Sequence, residues 1–158
     1  MRKIALSLLL VSGLFLVGCG ASEDNLVEPT GDRLAEISAI VDAVDWSKAE
    51  ARSLVLDEFE FLPSDLTFRL NQPYELTLSN EGIVAHRFVS SAFFDAIAVK
   101  GLVFSDGEVS MPLLKSVSLE AGEANTLIFV PVRAGVFPFV CDRPLHETFG
   151  MEGAVRIE

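Results

Sequence analysis

From Trp46 to the C terminus, apolar and polar residues alternate in short runs broken by turn residues. Leu66, Phe68 and Leu70 alternate with polar neighbours before Asn71-Gln72-Pro73, and Tyr74, Leu76 and Leu78 do so before Asn80-Glu81-Gly82. Val84, His86 and Phe88 keep the period, as do Val117 with Leu119 and Leu127 with Phe129, on either side of Ala121-Gly122-Glu123. Residues two apart on a strand share a face, so this is the pattern of half-buried strands. Residues 54–61 read as one further strand that turns at 62–65, a strand follows Arg133-Ala134-Gly135 over 137–141, and Val155 with Ile157 closes the chain. Short strands at this spacing predict an all-β fold, a Greek-key β-sandwich whose two sheets pack through alternate residues. Residues 91–114 break the pattern: 93–99 fit a short helix or an irregular strand, and Ser105-Asp106-Gly107 a turn. Upstream, Leu34, Ile37, Val41 and Val44 recur at three- and four-residue steps behind Asp32. That spacing predicts a short helix, either packed on the domain or part of the segment that precedes it.

The first residues carry a different pattern. Arg2 and Lys3 precede a mostly apolar run over 4–16, too short for a comfortable membrane span and of the length of a signal-peptide core. The run closes on Leu16-Val17-Gly18-Cys19, which resembles a bacterial lipobox. The resemblance implies cleavage before Cys19 and lipidation of that residue; an ordinary secretory signal that happens to contain a Cys is the plainer reading. Residues 20–31 are small, polar and acidic, the composition of a flexible tether. The expected organisation is therefore a signal peptide over 1–18, a lipidated tether over 19–45 with or without its helix, and one domain over 46–158.

Charge narrows the partners. The chain has a formal net charge of −11, and loss of residues 1–18 would leave 10 basic and 23 acidic residues, a charge of −13. Such an excess argues against nucleic acid as a partner and fits a well-solvated exported protein, here expected to be a monomer; steering toward a basic partner is the second reading of the same charge. Cysteine usage adds a constraint. With Cys19 lipidated, Cys141 is the one thiol left, and no disulfide can form within the chain. A leftover Cys in an oxidising compartment calls for a reason: a metal ligand, or an inert buried thiol.

The surroundings of Cys141 favour a ligand. Phe137, Phe139 and Cys141 share parity, which puts the thiol at a strand's end facing the core. His146 and Met151 follow at C-x4-H-x4-M spacing in a stretch punctuated by Pro144 and Gly150, a loop able to fold back on the thiol. Thiolate, imidazole and thioether form a soft set that suits copper. A trigonal site needs a second imidazole, and the chain has one other His, His86. This segment resembles the copper loop of the cupredoxins, the blue-copper electron-transfer proteins. The spacing resembles that of phytocyanins with an axial Met and of several bacterial cupredoxin-like proteins. Gly150-Met151-Glu152-Gly153 matches the family's Gly-Met-x-Gly pattern. Three departures stand out: Ala85 where many members have Asn, Asp142 where many have Ser or Thr, and Leu145 where many have Gly. Groups at such positions orient ligands and tune the metal, so the departures bear on potential and rigidity more than on binding.

The resemblance implies one type 1 copper ion, held by His86, Cys141 and His146 in a plane with Met151 as a weak axial ligand. It implies single-electron transfer without catalysis, and docking of redox partner proteins of the cell envelope near His146, where Pro144, Leu145 and Phe149 would form an apolar patch. Together with the lipid anchor it places the domain in the periplasm or on the outer face of a bacterial membrane. Two further readings use the same residues. A copper-handling or delivery protein needs the ligands but no defined potential. A Cys141 nucleophile would need a base with an orienting group and an oxyanion site, and the spacing offers neither.

Overall fold

The computed structural model describes residues 31–158; the signal segment, Cys19 and the tether up to residue 30 lie outside the described residues. Two sheets face each other. One takes the strands in the order β2-β1-β4-β9-β6-β7 and the other β3-β11-β10-β5-β8. These are β1 (Glu50–Asp57), β2 (Glu60–Leu62), β3 (Asp65–Phe68), β4 (Tyr74–Asn80), β5 (His86–Val89), β6 (Ile97–Phe104), β7 (Gly107–Val109), β8 (Ser116–Leu119), β9 (Ala124–Pro131), β10 (Gly135–Val140) and β11 (Glu152–Ile157). The expected all-β sandwich is thus the fold. Two pairings are parallel, β1 with β4 and β3 with β11, and the remainder antiparallel.

The core is aromatic. Phe68, Tyr74 and Phe129 meet at one level with Phe93 against Phe68 and Phe129, and Phe61, Phe88 and Phe139 meet at another, mostly edge-on. Edge-to-face contact aligns a ring's positive rim with its neighbour's negative face, which adds to the burial itself. Alternation along β4 delivers Tyr74, Leu76 and Leu78 to this core while Glu75 stays exposed.

Two local readings need correction, and a third is resolved. Residues 54–61 are not one strand: β1 and β2 form a hairpin, pairing Asp57 with Glu60 around Glu58-Phe59, with Phe59 at φ 64°. Val84 does not extend β5. Asn80 is buried, its amide donates to the carbonyls of Val84 and Leu119, and its oxygen accepts the Gly82 N–H. These bonds hold 81–85 as a loop, and Val84 is exposed. Over 93–99 both alternatives occur in turn. Ser90 caps a single helical turn, α2 (Ser91–Phe94), and β6 begins at Ile97.

The predicted N-terminal helix is present as α1 (Gly31–Ala43) and it packs on the domain. Ile37 is buried against Ala98 and Val130, which pair across β6 and β9. The Trp46 indole donates to the Val41 carbonyl at 3.0 Å and pins the helix end. A helix on the outer face explains why Ala98 and Val130, which point away from the sandwich, are apolar.

Gly153 is fixed by packing. A Cβ there would collide with the Ser64 carbonyl and the Phe139 ring, where β11 leans on the turn before β3. Gly153→Ala is expected to destabilise the domain by about 1–3 kcal/mol, the usual cost of overpacking. Chemical denaturation with an unchanged slope and a lower midpoint would register it.

Candidate metal centre

The site lies at one end of the sandwich, where β5 begins and β10 ends. His86 opens β5 with Phe88 next on its face, both fully buried. Cys141 follows β10 and continues the buried row of Phe137 and Phe139. The chain then turns at Leu145, φ 70°, and His146 caps a single 3-10 turn, Glu147–Phe149, ended by Gly150 at φ 98°. Met151 returns to the core. Its N–H donates to the His146 carbonyl at 3.0 Å, and its own carbonyl accepts the Cys141 N–H at 3.0 Å. The loop is therefore closed by its backbone before any ion is considered.

These turns converge three donors. His86 Nδ1 and His146 Nδ1 are 3.2 Å apart, and Cys141 Sγ lies 3.4 Å from His146 Nδ1 and 3.9 Å from His86 Nδ1. Bonds of about 2.0–2.3 Å, as nitrogen and thiolate make to zinc, would place three trigonal donors roughly 3.5–3.8 Å apart. The observed spacing fits one soft metal ion, and the nitrogen–sulfur set suits copper or zinc. Burial, and next the neighbouring His146, push the His86 pKa below its ordinary value; Glu58 and Asp57 pull the other way. Neutral imidazole keeps a lone pair for a metal.

The sequence-derived set is thus largely gathered. His86, Cys141 and His146 meet, Met151 is buried in the same cluster as Cys141, and Cys19 lies outside the described residues. Several supporting residues were not foreseen. The Arg87 N–H donates to Cys141 Sγ at 3.4 Å and helps fix the position of the sulfur. The Arg87 guanidinium pairs with Asp142 and donates to Ser116 at 2.9 Å, tying β5 to the loop behind the thiol. Arg87 and Asp142 each follow a candidate ligand directly and carry opposite charges, the one sequence signal that pointed to this pair. Phe59 stands edge-on to the His146 ring at 5.2 Å and against Phe149 at 5.0 Å. Leu145 and Phe149 are exposed beside it, 64% and 60%, so the apolar rim around His146 exists and includes Phe59.

The two-sheet sandwich has a cupredoxin-like fold, with the His–Cys–His group at one end. Over 115 residues the chain is 29% identical to the copper-resistant cuproprotein CopI of Rubrivivax gelatinosus, covering 70% of this chain and 68% of that protein. Its fold matches that of the copper nitrite reductase from Nitrosomonas europaea with a TM-score of 0.56 at 16% identity, over 70% of this chain and 50% of that one. It also matches the multicopper oxidase from Campylobacter jejuni with a TM-score of 0.52 at 13% identity, over 69% of this chain and 30% of that one. The chain therefore spans half or less of either enzyme, and the likeness is one of fold. No protein-family model matches the chain.

Proposed function

We propose that this protein is a lipid-anchored copper protein of the bacterial cell envelope that carries single electrons through one type 1 site. His86, Cys141 and His146 would hold the ion, with Met151 as a further, weaker donor. The observation that carries this reading is the convergence of two imidazoles and a thiol within 4.8 Å of one another. Bound copper would supply reversible one-electron exchange. The protein's part is to hold the donors still. The buried His86, the backbone closure at Met151 and the Arg87–Asp142 pair resist rearrangement of the ligand set. Such a set serves both oxidation states with little movement. The half-buried His146 lies inside the rim of Phe59, Leu145 and Phe149, a small apolar surface suited to transient docking of redox partners.

A second reading has its own support. The relative CopI is described as copper-resistant, and copper handling or delivery would use the same ligands. A visible spectrum of the full chain loaded with Cu(II) separates the two. The electron carrier gives an intense thiolate-to-copper band that bleaches with reductant and returns on reoxidation with copper retained. Tight Cu(I) binding without that band would favour handling, and no copper binding would sink both.

A further inference from the structure

Glu58, in the β1–β2 turn, reaches the far side of the His86 ring. Its Oε1 stands 3.9 Å from His86 Nε2, while the other ring nitrogen, Nδ1, is the one near Cys141 and His146. Nε2 is buried and has no hydrogen-bond partner. The carboxylate is held in place, because Oε1 accepts the Ile83 N–H at 2.5 Å. Gly82 keeps the gap open: a Cβ there would lie 2.6 Å from Glu58 Oε1 and 2.9 Å from His86 Nε2. A separation of 3.9 Å is too long for a hydrogen bond, but at that range a charge still acts strongly on a buried group.

A neutral imidazole carries its proton on one nitrogen and a lone pair on the other. Beside an anion, an N–H at Nε2 is attracted and a lone pair there is repelled. The favoured tautomer leaves the lone pair on Nδ1, where the thiol and the second imidazole converge. We propose that Glu58 is a positioning residue that selects the Nε2–H tautomer of His86 and, through its charge, favours the more positive state of a metal held by that ring. The second half rests on the copper reading; the first half does not. Outer partners of ligating imidazoles fix ring orientation and raise ligand basicity in this way. The plainer role, capping the 81–85 loop through Ile83, needs an acceptor oxygen but no charge. Glu58→Gln keeps the oxygen and removes the charge.

The test uses the full chain and two readouts. In the metal-free protein, ring nitrogen chemical shifts report which nitrogen of His86 is protonated. Nε2–H is expected in the wild type, with a mixture of tautomers in Glu58→Gln. In the copper-loaded protein, a redox titration gives the ratio of Cu(II) to Cu(I) affinity. It is expected to fall about tenfold in Glu58→Gln, equivalent to a potential about 59 mV higher for one electron. Gly82→Ala, which wedges a methyl group between the two side chains, should move both readouts in the same direction with Glu58 intact. A wild-type His86 protonated at Nδ1, or readouts unmoved by Glu58→Gln, would overturn the proposal. If the wild-type chain bound no copper, the copper reading would fall, and the tautomer would still judge Glu58.

Discussion

Replacing Cys141 with serine is expected to remove the visible charge-transfer band that the proposed type 1 site would give with Cu(II), and to weaken copper binding by more than roughly 100-fold. That is beyond the 10–100-fold that loss of an outer partner of a ligand costs. The band requires a thiolate, and a hydroxyl is a far weaker and harder donor for copper. The variant should still fold. Cys141 Sγ accepts the Arg87 N–H and lies 3.4 Å from His146 Nδ1, so a serine oxygen in that buried spot has polar neighbours. A buried hydroxyl with partners is tolerated far better than an orphan. Unchanged far-ultraviolet circular dichroism alongside a lost band would place the effect on the site. The chain's other thiol is Cys19, and a band that survived in Cys141→Ser would remove Cys141 from the ligand set.

The parts of this site that were legible in the sequence are those written locally. Cys141, His146 and Met151 lie within one loop, and the parity of Phe137, Phe139 and Cys141 aimed the thiol at the core before any fold was known. His86 was legible through scarcity, since the chain has two His. What stayed hidden depends on contacts between distant segments or on turns without turn chemistry. The break at Glu58-Phe59 falls inside an apolar-rich run, and an aromatic residue at positive φ is not one that signals a turn. Missing it left Glu58 and Phe59 in a strand, when the hairpin carries one to His86 and the other to His146. The role of Asn80 was hidden in the same way. It reads as a turn residue, and it is one, but its amide also reaches Leu119 on the facing sheet. Asp142 looked like a departure from the family pattern, and its partner Arg87 is on another strand. The two parallel pairings were not readable either, because period-two alternation does not encode strand order or direction.

Phe88→Ala is expected to cost about 3–5 kcal/mol of stability, a fall in melting temperature on the order of 10 °C or more for a domain of this size. Phe88 is fully buried and touches Phe61, Phe93, Phe94 and Phe139, with its centroid 4.9 Å from that of Phe139. Truncation removes a ring from the middle of this cluster, and the surrounding strands are too well paired to close the gap. The consequence extends to the metal site. Phe88 lies two residues after His86 on one face, and Phe139 two residues before Cys141 on another strand, so this ring pair lies under the point where two ligands are brought together. A ligand that binds only the native state raises stability according to its affinity. Melting curves taken with and without copper therefore report two quantities from one variant. The metal-free midpoint measures the cavity. The increment on adding copper measures how well the ligands remain placed, and it should be smaller in Phe88→Ala than in the wild type. An equal increment would mean that the backbone closure at Met151 and the Arg87–Asp142 pair position the donors without help from the core.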